Sequence, residues 1–135
     1  MIRTLDDRTL VSGQVAPDEV AGLAEQGVTM LVNNRPDGED ADQPLACEIE
    51  AAAEAAGIGY RFVPVQRGIG PAEVDAMLEA IRGIGNGKML AFCRSGTRSA
   101  LTWALAKRAA GESVEDLVDR LMEAGFDPTP ISHLL

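Results

Sequence analysis

The segment Cys93-Arg94-Ser95-Gly96-Thr97-Arg98-Ser99 follows the apolar run Lys88-Met89-Leu90-Ala91-Phe92 and opens a helical pattern. This arrangement describes a thiolate nucleophile inside an anion-binding loop. Between a buried strand and a helix start, unpaired backbone N–H groups and the positive end of the helix dipole converge, and both favour a thiolate over a thiol. Arg94 and Arg98 oppose that dipole unless a thiolate or a bound anion offsets them. Gly96 permits the tight turn that aims successive amides at one small anion. Cys93 and Arg98 are therefore the expected catalytic residues. Arg94, Ser95, Gly96, Thr97 and Ser99 are expected to bind the substrate through charge, backbone amides and hydroxyls.

Other residues have chemistry to offer. Arg35 ends an apolar run and either completes the positive pocket as a substrate-binding residue or makes a surface ion pair. Asp37, Glu39, Asp40 and Asp42 form an acidic run that is simply solvated, supplies a general acid, or holds Arg98 by a bidentate pair. Carboxylates with no histidine beside them give no reason to expect a metal, and no cofactor is expected. Cys47, among Leu45, Ala46 and Ile49, reads as a small packed hydrophobe. The single histidine, His133, lies near the chain end, where a catalytic role is not expected. Trp103 and Met77 read as packing residues.

To hold the loop, the chain needs a sheet end and a helix start, and its punctuation supplies both. Glycine and proline divide it into short apolar runs and longer helical patterns in βαβα order, without repeats. Strands are expected at Leu10-Val11, 28–32, 60–65 and 88–92. Helices are expected from Pro17 to about 26, over about 45–56, from Pro71 to about 82, over about 97–110, and from Ser113 to Ala124, the last opened by a Ser113/Asp116 capping box. Such alternation implies an α/β fold with a mainly parallel central sheet and helices on both faces. Ligands bind outside the carboxyl ends of the strands in such sheets. Three loops, 33–43, 66–70 and 93–99, are thereby expected to meet.

The 135 residues fit a single domain over 1–135. A formal charge of −9 argues against a nucleic-acid partner, because phosphate backbones would be repelled everywhere except at the Cys93 loop. The hydrophobic share is 46% but the aromatic share only 4%, so aliphatic side chains must build the core. Two cysteines make neither a disulfide framework nor a metal-ligand spacing, and a reactive thiol suits a reducing compartment. Met1 to Asp7 carries early acids and no apolar run, so no secretory signal and no membrane association are expected. The chain reads as cytoplasmic.

Asn33-Asn34-Arg35-Pro36-Asp37-Gly38-Glu39, Asp42-Gln43-Pro44 and the Cys93 to Ser99 loop, together with the strands ending at Arg35 and Val65, resemble the beta-lactamase-hydrolase-like protein, phosphatase-like domain family. The likeness covers nearly the whole chain. It implies a fold similar to dual-specificity and tyrosine phosphatases. Members of that family are described as phosphatases or as sulfur transferases, sometimes fused to a metallo-beta-lactamase-like persulfide dioxygenase domain. A persulfide dioxygenase-like enzyme is thus the functional partner the resemblance suggests.

Two departures from the phosphatase pattern bear on the chemistry. Only four residues separate Cys93 from Arg98, one fewer than in cysteine phosphatases, and the loop is similar to the Cys-Arg-x-Gly-x-Arg-Ser loop of single-domain rhodaneses. Rhodanese strand motifs are absent elsewhere, and Phe92 stands where phosphatases usually have histidine. Phosphatases also protonate their leaving group from an aspartate after the strand that here ends at Val65, and this chain offers Gln66 and Arg67. Sulfur transfer has less need of an acid, since sulfite and low-pKa thiolates leave unprotonated.

The expected activity is a cysteine-dependent sulfurtransferase, with a Cys93 persulfide loaded from a small anionic donor such as thiosulfate or a persulfide. The alternative is a phosphatase acting on a phosphoester through a Cys93 phosphocysteine. A noncatalytic anion sensor would instead bind sulfate or phosphate without turnover.

Overall fold

The computed structural model describes residues 2–135. Five strands form one sheet in the order β1-β2-β5-β3-β4. These are β1 (Ile2–Asp6), β2 (Thr9–Ser12), β3 (Val28–Asn33), β4 (Gly59–Phe62) and β5 (Lys88–Phe92). β2, β3, β4 and β5 run parallel, and β1 is antiparallel to β2 at one edge. The helices are α1 (Val20–Glu25), α2 (Ala46–Ala56), α3 (Pro71–Arg82), α4 (Thr97–Ala109) and α5 (Val114–Glu123).

Side-chain alternation along the central strand divides the core into two layers. Met89 and Ala91 of β5 join Val32, Met77, Trp103 and Leu117 on the face covered by α3, α4 and α5. Leu90 and Phe92 join Leu31, Val20 and Ile49 on the face covered by α1 and α2. The expected α/β architecture, a mostly parallel sheet with helices on both faces, is therefore present. Trp103 and Met77 are both fully buried, as packing residues should be. Residues 99–106 of α4 are all buried, so this helix is enclosed on every side rather than amphipathic.

Several elements differ from expectation, each for a local reason. β1 was not foreseen because most of Ile2–Asp6 is exposed at the sheet edge, where no apolar run is required. The helix expected from Pro17 begins as a 3-10 turn, Pro17–Glu19, before α1. The expected strand 60–65 stops its ladder at Phe62, yet Val63 N donates to Asn33 O at 2.8 Å and Val65 N to Asn34 O at 3.0 Å. Those bonds carry the extended chain to the site. Ser113 caps α5 by accepting from Asp116 N at 3.1 Å, and the terminal segment forms a 3-10 turn over Thr129–Leu134.

Cys47 is exposed, contrary to its reading as a packed hydrophobe. The inner face of α2 is set by Ala46, Ile49 and Ala53. That spacing turns the intervening position 47 outward.

Candidate active site

The carboxyl ends of β3 and β5 are in register, Asn33 opposite Phe92, and Asn34 N donates to Phe92 O at 2.8 Å. The loops that follow are thereby brought side by side. On the other side of β5, Cys93 N donates to Ser12 O at 3.3 Å, which ties the cysteine to the end of β2. Cys93 is buried, 1% exposed. Its Sγ accepts a hydrogen bond from Gly96 N at 3.1 Å.

Gly96 is the N-cap of α4 with φ +92°. A side chain there would be strained by the backbone, and its Cβ would lie 3.4 Å from Ser12 O. A Cβ on Gly13 would come within 3.0 Å of Arg94 O. Two glycines, one on each side of the contact, let the β2 end pack closely beneath the cysteine loop.

Arg98, in the first turn of α4, is held by three acceptors. Its Nη1 donates to Glu39 Oε2 at 2.7 Å and to Val65 O at 2.8 Å, and its Nη2 donates to Glu39 Oε1 at 2.9 Å. Thus the 33–43 loop and the end of the expected strand 60–65 meet at this one guanidinium, and the 66–70 loop lies beside it, lining a cavity with Arg98 through Gln66, Gly68 and Ile69. The hydrogen bond to Glu39 holds the Arg98 guanidinium above its ordinary pKa despite some desolvation, and the neighbouring Cys93 acts in the same direction. Conversely, the hydrogen bond from Arg98, aided by Arg35, lowers the Glu39 carboxyl from 4.5 to about 2 despite some desolvation. Glu39 is therefore a carboxylate at any ordinary pH.

Arg35 lies behind this pair and is itself buried. Its Nε donates to Glu39 Oε1 at 3.0 Å, its Nη1 to Gln14 Oε1 at 3.0 Å and its Nη2 to Asp40 Oδ2 at 2.7 Å. Every arm of the guanidinium is engaged with protein, so Arg35 braces the acidic loop from within. The acidic run is likewise employed rather than merely solvated. Glu39 takes the bidentate place beside Arg98, Asp40 binds Arg35, and Asp37 Oδ1 caps α2 by accepting from Ala46 N at 2.8 Å. Asp42 is exposed.

The remaining loop residues have distinct placements. Arg94 points to solvent, 67% exposed, with Nη2 3.8 Å from Asp40 Oδ2. Ser95 Oγ donates to Thr97 Oγ1 at 3.1 Å on the exposed rim. Ser99 is fully buried, and its Oγ donates to Asn34 Oδ1 at 2.8 Å. Asn34 Nδ2 in turn donates to Val63 O at 2.8 Å, so one amide joins three segments. Gln66 and Arg67 are exposed beyond Val65. His133 lines a cavity that also touches Arg98.

Sequence reasoning missed Gln14 and Asn34. The Asn33-Asn34 doublet closing an apolar run was a usable signal, since two amides at a parallel strand end have loop backbones to bind. Gln14 left no such mark. Among the described residues, no three His, Cys, Asp or Glu side chains group to hold a metal ion, and no helix is long and apolar enough to cross a membrane.

Residues 1–126 match the family described as the beta-lactamase hydrolase-like protein, phosphatase-like domain. A beta-lactamase hydrolase-like protein of Xylella fastidiosa (strain Temecula1) is 38% identical over 125 residues, which are 91% of this chain and 29% of that protein. The chain thus spans under a third of the length of such relatives. In structure it is similar to a candidate phosphatase from Neisseria meningitidis Z2491, with 30% identity, a TM-score of 0.75, and coverage of 98% of this chain and 92% of that one. Tk-PTP superposes with a TM-score of 0.72 at 19% identity, over 97% of this chain and 85% of its own. That likeness concerns the fold, which is protein-tyrosine-phosphatase-like.

Proposed function

The chain belongs to the beta-lactamase hydrolase-like protein, phosphatase-like domain family, and from that premise we propose that it is a cysteine-dependent sulfurtransferase built on a phosphatase-like fold. The observation that carries this choice over phosphoester cleavage is the state of Glu39. It is the acid nearest the expected nucleophile's arginine, and two guanidiniums hold it ionised. A leaving alkoxide needs a proton from such a residue. A leaving sulfite or thiolate does not.

In the proposed cycle, the Cys93 thiolate attacks the outer sulfur of thiosulfate. A sulfur–sulfur bond forms at Sγ, the donor's own sulfur–sulfur bond breaks, and its electron pair departs on sulfite. The Gly96 amide, already on Sγ, stabilises the negative charge during the exchange. Arg98 and the exposed Arg94 attract the dianionic donor. An acceptor thiolate then attacks the outer sulfur of the Cys93 persulfide, and the electron pair of the broken bond returns to Sγ. No proton is donated in either step. A reducing, cytoplasmic setting and a persulfide-consuming enzyme as functional partner fit this role.

The second reading is a phosphatase. The family and the solved neighbours favour a phosphoester substrate, with Cys93 as a phosphocysteine and an acid drawn from the 37–42 loop. Parallel assays distinguish the two: sulfite release from thiosulfate in the presence of a thiol acceptor, and hydrolysis of an aryl phosphate. Sulfite release abolished by Cys93→Ser supports sulfur transfer, whereas aryl phosphate turnover alone, equally sensitive to Cys93→Ser, selects the phosphatase.

A further inference from the structure

Arg98 has a second environment besides the anion loop. It forms one end of a cavity of about 490 Å³ whose apolar lining includes Val65, Ile69, Leu101, Ile131 and Leu134, and among the described residues no carboxylate lines it. A second cavity of about 340 Å³ shares Ile69 and Leu134 with the first and continues past Val74 and Leu105 to Arg108. The two adjoin along α4 at those shared walls and together form a groove. Arg98 and Arg108 stand ten positions apart on that helix (98 to 108), which is about 15 Å of rise. Asp75 accompanies Arg108 at the far end, so that end is polar without favouring either sign of charge.

An inorganic donor such as thiosulfate has no use for an apolar groove of this length. Pockets of this volume fit organic ligands, and their apolar walls contribute in proportion to the surface they cover. Of the anion loop, Arg98 alone lines the groove, and Cys93 neighbours that guanidinium, so a ligand lying in the groove has its Arg98 end on the side of the reacting sulfur. We infer that this groove binds the acceptor: an organic thiol with an extended aliphatic body, its thiolate at the Arg98 end and a polar terminus beside Arg108 and Asp75. The inference rests on the sulfur-transfer reading of Cys93. The acceptor thiolate attacks the outer persulfide sulfur, leaves as an organic persulfide, and returns the electron pair to Cys93.

The test discharges preloaded Cys93 persulfide with mercaptobutanol, mercaptohexanol and mercaptooctanol, each carrying thiol and hydroxyl at opposite ends. The second-order rate constant is expected to rise about fourfold per added methylene until the groove is filled. Leu134→Asp, at a half-exposed position lining both cavities, flattens the series and leaves discharge by mercaptoethanol unchanged. A flat series in the unaltered protein, with Cys93 fully loaded, overturns the groove assignment and spares the sulfur chemistry. A binding arm separates the reverse case, because octanediol is expected to shift the methyl resonances of Ile69, Ile131 and Leu134 where butanediol at equal concentration does not. If those shifts occur while Cys93 accepts no sulfur, the groove stands as a ligand site and the sulfur-transfer reading falls. If octanediol leaves the methyls unmoved, the groove assignment falls.

Discussion

Arg98 and Glu39, 59 positions apart in the chain, face each other fork to fork, with Nη1 to Oε2 at 2.7 Å and Nη2 to Oε1 at 2.9 Å. Two planar, charge-assisted bonds fix both the position and the plane of the guanidinium. Arg35 grips the same carboxylate from the buried side, so the arginine of the anion loop is positioned by a second arginine through a shared acid. In the proposed cycle this chain of contacts holds the loop ready for the anionic donor. It also removes Glu39 from proton donation.

Glu39→Gln keeps the shape and removes the charge. Thiosulfate-dependent loading of Cys93 is expected to fall about ten- to a hundredfold as Arg98 loses its fixed orientation, while circular dichroism stays unchanged. A loading rate within twofold of the unaltered protein would contradict the positioning role.

The same ion pair predicts a pH dependence of stability. The folded protein lowers the Glu39 carboxyl from 4.5 to about 2, so its contribution is fully present above 4.5 and is lost as the pH falls toward 2. Denaturant unfolding, compared near neutrality and near about pH 3, should show a loss in the unaltered protein that is smaller in Glu39→Gln. Parallel losses in the two proteins would speak against it.

Gly96→Ala places a side chain at φ +92°, with its Cβ 3.4 Å from Ser12 O. The left-handed backbone alone is expected to cost about 1–2 kcal/mol in a denaturation midpoint. Loading of Cys93 should drop further than stability does, because the Gly96 amide is the donor on Sγ.

Ser99→Ala leaves the buried Asn34 oxygen without its hydroxyl donor. A destabilisation of about 1–3 kcal/mol is expected from that orphaned acceptor. The purified variant should still load sulfur, since the Ser99 hydroxyl serves Asn34. A fully folded variant that has lost loading would place the hydroxyl in the chemistry instead.

Much of this was legible from residue types. The apolar runs at 28–32 and 88–92 name the two central strands because strands buried on both faces leave no room for polar side chains, and the cysteine loop declares itself by the conflict of arginines with a helix dipole. β1 was hidden because an edge strand exposed to solvent carries no apolar pattern. Cys47 was misplaced because one residue of phase on a short helix separates core from surface. The acidic loop remained undecided because the choice between solvent and Arg98 depends on a contact across 59 positions, which no local spacing reports. Arg35 stood equally open, and only the fold reveals that its guanidinium turns inward.

The most direct measurement is the intact mass of the protein after incubation with thiosulfate or glutathione persulfide, with the adduct mapped by peptide fragmentation. Sulfur transfer predicts one added sulfur atom on Cys93, absent in Cys93→Ser, retained in Cys47→Ser, and discharged by a thiol. No sulfur on Cys93, together with hydrolysis of an aryl phosphate that requires Cys93, would contradict the account and assign the loop to phosphoryl transfer.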